Sequence, residues 1–351
     1  MTRRPIIKAV DLFCGAGGLT HGLVRGGIKV IAGVDLDPQC RYPFEANNNA
    51  KFFEEDVGSF SAERLGKLYG RGGLRLLAGC APCQPFSTYS RKGRNPRYAD
   101  EWPLVSSFGR LVREVQPDLV TMENVPQLAE HVVFSQFLEA LQGYHTWWDV
   151  VDCAKFGVPQ TRQRLVLMAS KLGNGAPVLA ASAEKMRTVR ETIGSLPAIM
   201  AGVADPQDNL HVSSRLSPMN LRRIGASVPG GSWRDWDDEL LAACHRKPSG
   251  ATYPSVYGRM EWDKPSPTMT TQCFGFGNGR FGHPEQNRAI SLREAAMLQT
   301  FPRDYKFVQD GGRVVFDKLG RLIGNAVPVR IGEVIADALV KHVREVQSLV
   351  P

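Results

Sequence analysis

The sequence has no apolar run near the roughly 18 residues that a membrane-spanning helix needs. Its uncharged stretch from Thr192 to Ala204 is broken by Gly and Pro. A secretory leader is not expected either, because Lys8 and Asp11 interrupt the apolar segment that follows Arg3 and Arg4. Cysteine is scarce: seven residues, an odd number scattered over 351 positions, do not make a secreted disulfide framework. Internal repeats and low-complexity tracts are missing as well. These absences lead to the expectation of a cytoplasmic protein with no membrane contact. What is present is an ordinary globular composition, 43% hydrophobic and 22% charged, which excludes disordered, collagen-like and coiled-coil chains. At about 150 residues per domain the length suggests two domains. The net charge of +8 favours a polyanionic partner.

The first 170 residues have the texture of an α/β domain. Short apolar runs at Ile6–Phe13, Lys29–Val34, Lys51–Glu55, Leu74–Gly79, Asp118–Met122 and Gln163–Ala169 alternate with helical patterns or turn signals, as in a parallel sheet. A helix is expected over Trp102–Glu114, with Leu104, Val105, Phe108, Leu111 and Val112 on one side. From about 173 to 285, Gly, Pro, Ser and Asn dominate and no long periodic run appears. After Pro328 the spacing of Ile331, Val334, Ile335, Leu339, Val343 and Val346 predicts an amphipathic helix.

Ligands of open α/β sheets bind beyond the carboxyl ends of the strands. Here those ends carry Asp11, then Asp35, Asp56, the run Cys80–Cys83 and Glu123. One carboxylate at such a place usually caps the next helix; several with a cysteine would converge on one crevice in a doubly wound sheet. The first strand leads into Phe13-Cys14-Gly15-Ala16-Gly17-Gly18, whose glycines allow a tight turn and a close backbone approach to a ligand. Asp35 lies twenty residues after Gly15, the distance at which a carboxylate accepts ribose hydroxyls. The G-x-G-G spacing suits a mononucleoside cofactor better than a dinucleotide.

Cys80-Ala81-Pro82-Cys83 is open to three readings. A zinc site lacks a second ligand pair, since no other C-x-x-C exists and the seven histidines are scattered. A redox dithiol is chemically possible but leaves Asp35, Asp56 and Glu123 without a use. A single nucleophile at Cys83, with Cys80 filling space, would add to an electron-poor ring carbon when the ring is hydrogen-bonded or protonated at the same time. Just beyond, Arg91, Lys92, Arg94 and Arg97 place four positive charges within seven residues. Such runs are usually solvated loops; this one follows the most reactive-looking residue of the chain.

The ordered elements DLFCGAGG from Asp11, GCAPCQPFS from Gly79, Glu123-Asn124-Val125, QTRQR from Gln160, REAA with LQTFP from Arg293, and Gly324-Asn325-Ala326-Val327 resemble the motifs of the DNA (cytosine-5) methyltransferases, bacterial type. The resemblance runs from residue 11 to residue 327. It implies a Rossmann-like, S-adenosyl-L-methionine-dependent α/β catalytic domain with a smaller, irregular target-recognition domain. The expected division is 1–175 for catalysis and cofactor, 176–315 for recognition, and 316–351 returning to the catalytic part.

The same resemblance assigns roles. Cys83 is expected to add to carbon 6 of cytosine, Glu123 to hold ring nitrogen 3 and the exocyclic amine, and Arg164, with Arg162 nearby, to polarise the carbonyl oxygen. Phe13, Gly15, Ala16, Gly17, Gly18, Asp35, Leu36, Asp56, Val57, Pro82, Leu104, Asn325 and Val327 fall at cofactor positions. Of these, Asp35 is expected at the ribose and Asp56 at the adenine amine; Leu36 replaces the aromatic residue that many relatives carry. Arg162 as a structural pair and Asn325 as a helix cap remain alternatives. S-adenosyl-L-homocysteine would be the product, and no metal is implied.

A cytosine inside a duplex shows neither ring face to a thiolate, so the base must leave the stack. Gln84, Ser87, Arg91, Lys92, Arg94 and Arg97 are therefore candidates for contacting DNA, with Ser87–Tyr98 expected to close over it. In the irregular region Arg259, Thr270, Gln272 and Arg280 are candidates, Arg259 either on a guanine or on a phosphate. The expected enzyme acts on double-stranded DNA as a monomer, in a restriction–modification system with a separately acting endonuclease or as a solitary methylase. Methylation of tRNA on the same catalytic frame, a catalytically silent binding protein, and a dithiol oxidoreductase are the competing readings.

Overall fold

A computed structural model describes residues 6–82, 103–180, 185–247, 250 and 252–349. The chain divides into two compact units, Met1–Phe156 with Gln163–Ala183 and Val327–Pro351, and Gly157–Arg162 with Glu184–Ala326.

In the first unit, seven strands among the described residues form one sheet: β1 (Ile7–Leu12), β2 (Lys29–Asp35), β3 (Lys51–Glu54), β4 (Leu74–Gly79), β5 (Leu119–Asn124), β6 (His145–Asp152) and β8 (Gln163–Ser170). The two-residue β7 (Gln160–Thr161) belongs to the other unit. The strand order is β3-β2-β1-β4-β5-β8-β6. The first five strands are parallel, whereas β8 runs antiparallel to both neighbours. An all-parallel sheet, the expectation from the alternating pattern, is thus corrected at one edge. Parallel neighbours need a crossover of a dozen or more residues, usually a helix; between β6 and β8 the only helical piece is the four-residue turn Cys153–Phe156.

Alternation along the strands sorts the two faces. Val10, Leu12, Val34, Leu77, Val120, Met122, Leu165 and Leu167 enter one core with side chains of α3 (Ala62–Tyr69), α4 (Pro103–Val115) and α5 (Val132–Ala140); α1 (Gly18–Arg25) and α2 (Arg41–Asn48) precede these in the chain. In that core Phe108 meets Phe137 edge-on, with ring centroids 5.1 Å apart. Asp11, Asp35, Glu123 and Arg164 are out of phase with these residues and so share the opposite face. There α1 crosses the C-terminal helix Val329–Ser348 at backbone contact: a Cβ on Gly22 would lie 2.3 Å from the Val329 carbonyl oxygen. Glycine is needed for the two helices to approach this closely.

The second unit is built largely from short pieces. β7 pairs in parallel with β9 (Ser266–Pro267), and Leu216, Ile224, Trp233, Trp236, Leu240, Phe276 and Ala289 form a core. Two capping boxes, Thr188 with Glu191 and Ser291 with Glu294, start its helices Val189–Ile193 and Leu292–Leu298. Glu294 also holds Arg288 through two 2.7 Å contacts, both side chains being fully buried.

The observed division differs from the expected 175/176 and 315/316. Residues 157–162 join the second unit because Gln160 is tied there at both ends of its amide: Nε2 donates to Gln299 Oε1 at 3.0 Å, and Oε1 accepts from the Met269 amide at 2.7 Å. The helix Phe316–Asn325 stays there too, since a Cβ on Gly324 would strike Thr270 backbone at 2.3 Å. Neither contact has a periodic signature in sequence.

Candidate active site

The turn after β1 is set by backbone conformation. Phe13, Gly15 and Gly17 all have positive φ, at 57°, 53° and 89°. For Phe13 that is an uncommon conformation, held against its intrinsic cost by the surrounding fold. Gly17 is the N-cap of α1, and no side chain caps that helix. Its first amides are therefore left for another acceptor. The Gly15 amide donates to Asp35 Oδ2 and the Asp37 amide to Asp35 Oδ1, both at 2.9 Å.

Asp11 lies beneath this turn and is 1% exposed. Thr20 of α1 donates its hydroxyl to Oδ2 at 2.6 Å, while Oδ1 is buried without a hydrogen-bond partner. Burial is the main cause that pushes the Asp11 carboxyl up to about 7. Around the turn, Ala16, Gly18 and Val57 are buried, and Leu104 is half-buried on α4. Leu36, 67% exposed, leaves an apolar side chain open to solvent. Asp56 is exposed, its Oδ1 accepting from the Gly58 amide at 2.8 Å.

Glu123 sits on β5, and its cross-strand partner on β8 is Val166. Arg164, two residues from Val166, is on the same face and diagonal to Glu123, within reach of a long side chain. Its Nε lies 3.0 Å from Glu123 Oε1; the carboxylate is 2% exposed and the guanidinium side chain 14%. Gly79 pairs with Met122, which brings the next residue, Cys80, alongside Glu123. The Cys80 thiol donates to Glu123 Oε2 at 2.9 Å. Burial first, and then the Glu123 charge, push this thiol well above its ordinary range, so it stays protonated. The neighbouring Asn124 donates from Nδ2 to the Ala81 carbonyl at 3.0 Å, and its Oδ1 accepts from the Val125 amide at 2.8 Å. Asn124 thus holds the chain two residues before Cys83.

Two of these side chains were missed from sequence. Cys80 was expected only to fill space and is instead a donor to Glu123. Asn124 stood in a quoted motif without a role; its adjacency to a strand end was the available signal.

Several other expectations change. Arg162 is buried in the second unit, where Nη1 donates to the Met269 carbonyl at 3.0 Å, the structural pairing that stood as its alternative. Arg259, expected on a base or a phosphate, is 4% exposed and enclosed. Its guanidinium donates to the carbonyls of Ile224, Ser227, His283 and Gln286 at 2.7 to 2.9 Å and also to Asn287 Oδ1. A base-reading fork must be open, and this one is consumed by four backbone carbonyls and an asparagine. Arg280 is half-buried and donates to the Gly231 carbonyl. Thr270 is half-buried, and Gln272 is exposed. Pro82 is exposed in the first unit, Asn325 is exposed in the second, and Val327 is buried in the first. Cys83, Gln84, Ser87, Arg91, Lys92, Arg94 and Arg97 lie outside the described residues, as does the Ser87–Tyr98 closure.

Among the described residues, no group of three or more His, Cys, Asp or Glu is arranged to hold a metal ion. No helix among them is long and apolar enough to cross a membrane.

Comparison with known proteins gives a consistent result. The family model for C-5 cytosine-specific DNA methylases matches residues 7–341. The chain is 51% identical over 336 residues to the type II methylase M.HgiDII of Herpetosiphon aurantiacus, covering 94% of each protein. It is 31% identical over 341 residues to the type II methyltransferase M1.HphI of Haemophilus parahaemolyticus, covering 95% of this chain and 86% of that one. Among solved structures, a prophage-encoded E. coli protein described as a DNA modification methyltransferase matches with a TM-score of 0.74 at 21% identity, over 96% of this chain and 99% of that one. The Entamoeba histolytica methyltransferase EhMeth matches at 0.64 and 16%, over 96% and 99%. At these identities the two structures bear on the fold alone.

Proposed function

The chain belongs to the C-5 cytosine-specific DNA methylase family and is a DNA cytosine-5 methyltransferase; from that premise we propose how its residues carry the reaction. The observation that carries the proposal is the buried Glu123 carboxylate, paired with Arg164 and bonded by Cys80 at the strand ends of the first unit.

Cytosine carbon 5 is a poor nucleophile. Addition of the Cys83 thiolate to carbon 6 moves the ring electrons toward carbon 5, while negative charge builds on nitrogen 3 and the carbonyl oxygen. Glu123 holds nitrogen 3 and the exocyclic amine, and Arg164, anchored by the carboxylate, faces the carbonyl oxygen. Carbon 5 takes the methyl group; loss of its proton then expels Cys83 and restores the ring. The target base is extruded from the duplex first, at a cost of a few kcal/mol.

S-adenosyl-L-methionine is the methyl donor that this family implies, and it supplies an electrophilic methyl group on a sulfonium. The residues present fit it: the uncapped start of α1, the buried and unpaired Asp11 Oδ1, and the exposed Leu36 and Asp56. Phe13 with Gly15 to Gly18 would border the donor, Asp35 would hold the ribose and Asp56 the adenine amine. Pro82, Val57, Leu104 and Val327 would complete the surroundings, and no metal takes part.

Type II modification within a restriction–modification system is the biological setting we assign, with the endonuclease a separate protein and the methylase acting as a monomer in the cytoplasm. The tRNA alternative is not favoured by the type II relatives. Expression in a host without cytosine methylation, followed by genome-wide mapping of 5-methylcytosine, should reveal one short sequence modified throughout. Label transfer to tRNA and none to duplex DNA would overturn the assignment.

A further inference from the structure

Glu123 has two oxygens, and the structure gives each a different partner. Arg164 approaches Oε1 and Cys80 bonds Oε2, so the carboxylate plane is fixed from two sides. Among the described residues, the charged or titratable groups that act on the Cys80–Glu123 contact are Arg164 on β8 and Asp11 on β1. The thiol is in its protonated form and can only be the donor in this bond. A thiol is a weak donor, which suits a bond that must loosen when a base enters.

We propose that Cys80 is a positioning residue for the methyl-transfer reaction: its thiol orients the Glu123 carboxylate, with no covalent part of its own. The inference rests on the function assigned above to Glu123. It separates the two cysteines of the C-x-x-C run, Cys83 making the bond to carbon and Cys80 holding in place the acid that opposes it. Without a donor at Oε2 the carboxylate is fixed from the Arg164 side alone, so a side chain that cannot donate should slow the chemical step, and a hydroxyl at the same place should restore it.

The test is steady-state kcat and KM for methyl transfer to cognate duplex by wild type, Cys80→Ala and Cys80→Ser. The Ala variant is expected to lose roughly threefold in kcat, with KM for duplex and donor unchanged, and the Ser variant, whose hydroxyl still donates, to keep the wild-type kcat. Equal kcat in all three, or the same loss in Ala and Ser, would show that residue 80 only fills space. If Cys80→Ala does not fold, Cys80→Val, which fills the same space without a donor, takes its place in the comparison. Absence of methyl transfer by the wild type would instead defeat the assigned function.

Discussion

Arg164 and Arg259 are both largely withdrawn from solvent, one in each unit, and their donors are spent in opposite ways. Arg259 gives its guanidinium to four backbone carbonyls and an asparagine, so it closes a loop cluster and has nothing left for a ligand. Arg164 places Nε on one carboxylate and Nη1 on the Gln163 carbonyl at 2.6 Å, and that carboxylate takes a further bond from the Cys80 thiol. Desolvated ion pairs are weak evidence for stability. What supports the role proposed for the Glu123 pair is the acceptor and donor capacity it retains at a strand end. Counting spent donors therefore separates scaffold from chemistry better than burial alone.

The largest effect that tests this contrast is expected at Glu123. Glu123→Gln should lower kcat/KM by about 10² to 10⁴-fold, the range for removal of a positioned acid–base group, and cost less stability than removal of Arg164, because the amide oxygen still accepts beside the guanidinium. Arg164→Ala should lose both properties. Removal of one partner leaves a buried charge uncompensated, so a stability loss of up to about 3 kcal/mol should accompany a kcat loss of roughly 10²-fold. Denaturant titration beside steady-state kinetics separates the two parts. A pair that served only the scaffold would lose stability and keep its rate.

Arg259→Ala should do the reverse. Four buried carbonyls lose their donors, for which a destabilisation of about 3 kcal/mol is expected. Well below the melting temperature the salt dependence of DNA binding should be unaltered. A slope shallower by about one would restore the phosphate contact that the structure removes.

A smaller effect concerns Asp11. Its pKa rises from 3.8 to about 7 on folding, so the native state holds a proton that the unfolded chain releases. The stability this confers is complete below about pH 4 and is lost as pH rises to about 7. Asp11→Asn removes the titration. In the ligand-free protein its stability relative to wild type should therefore improve by on the order of 2 kcal/mol between pH 5 and pH 8. Parallel stability curves would mean that Asp11 is ionised in the native state.

The sheet was legible in sequence wherever both faces are buried. β1, β4 and β5 are short apolar runs ending in polar residues, and the expected runs overlap them closely. β6 was not legible. It is the sheet edge, with Trp148 and Val150 substantially exposed, and its HTWWDVVD sequence has no clean alternation. Glu123 and Arg164 were legible as residues, and their pairing follows from the register of β5 with β8, which no local pattern encodes. Arg259 misled for the complementary reason: an arginine in a loop-rich region has the same sequence signal whether its fork is open or enclosed. The Cys80 contact was hidden because C-x-x-C spacing draws attention to the two sulfurs and away from the adjacent strand.

The most direct measurement of the central claim is covalent trapping on a duplex carrying 5-fluorocytosine at the target position, with S-adenosyl-L-methionine present. Fluorine at carbon 5 cannot leave as a proton does, so the enzyme should remain attached, and peptide mass spectrometry should place the adduct on Cys83. Cys83→Ser should abolish the adduct while Cys80→Ser retains it. Complete absence of adduct on the methylated sequence, or an adduct on Cys80, would contradict the account.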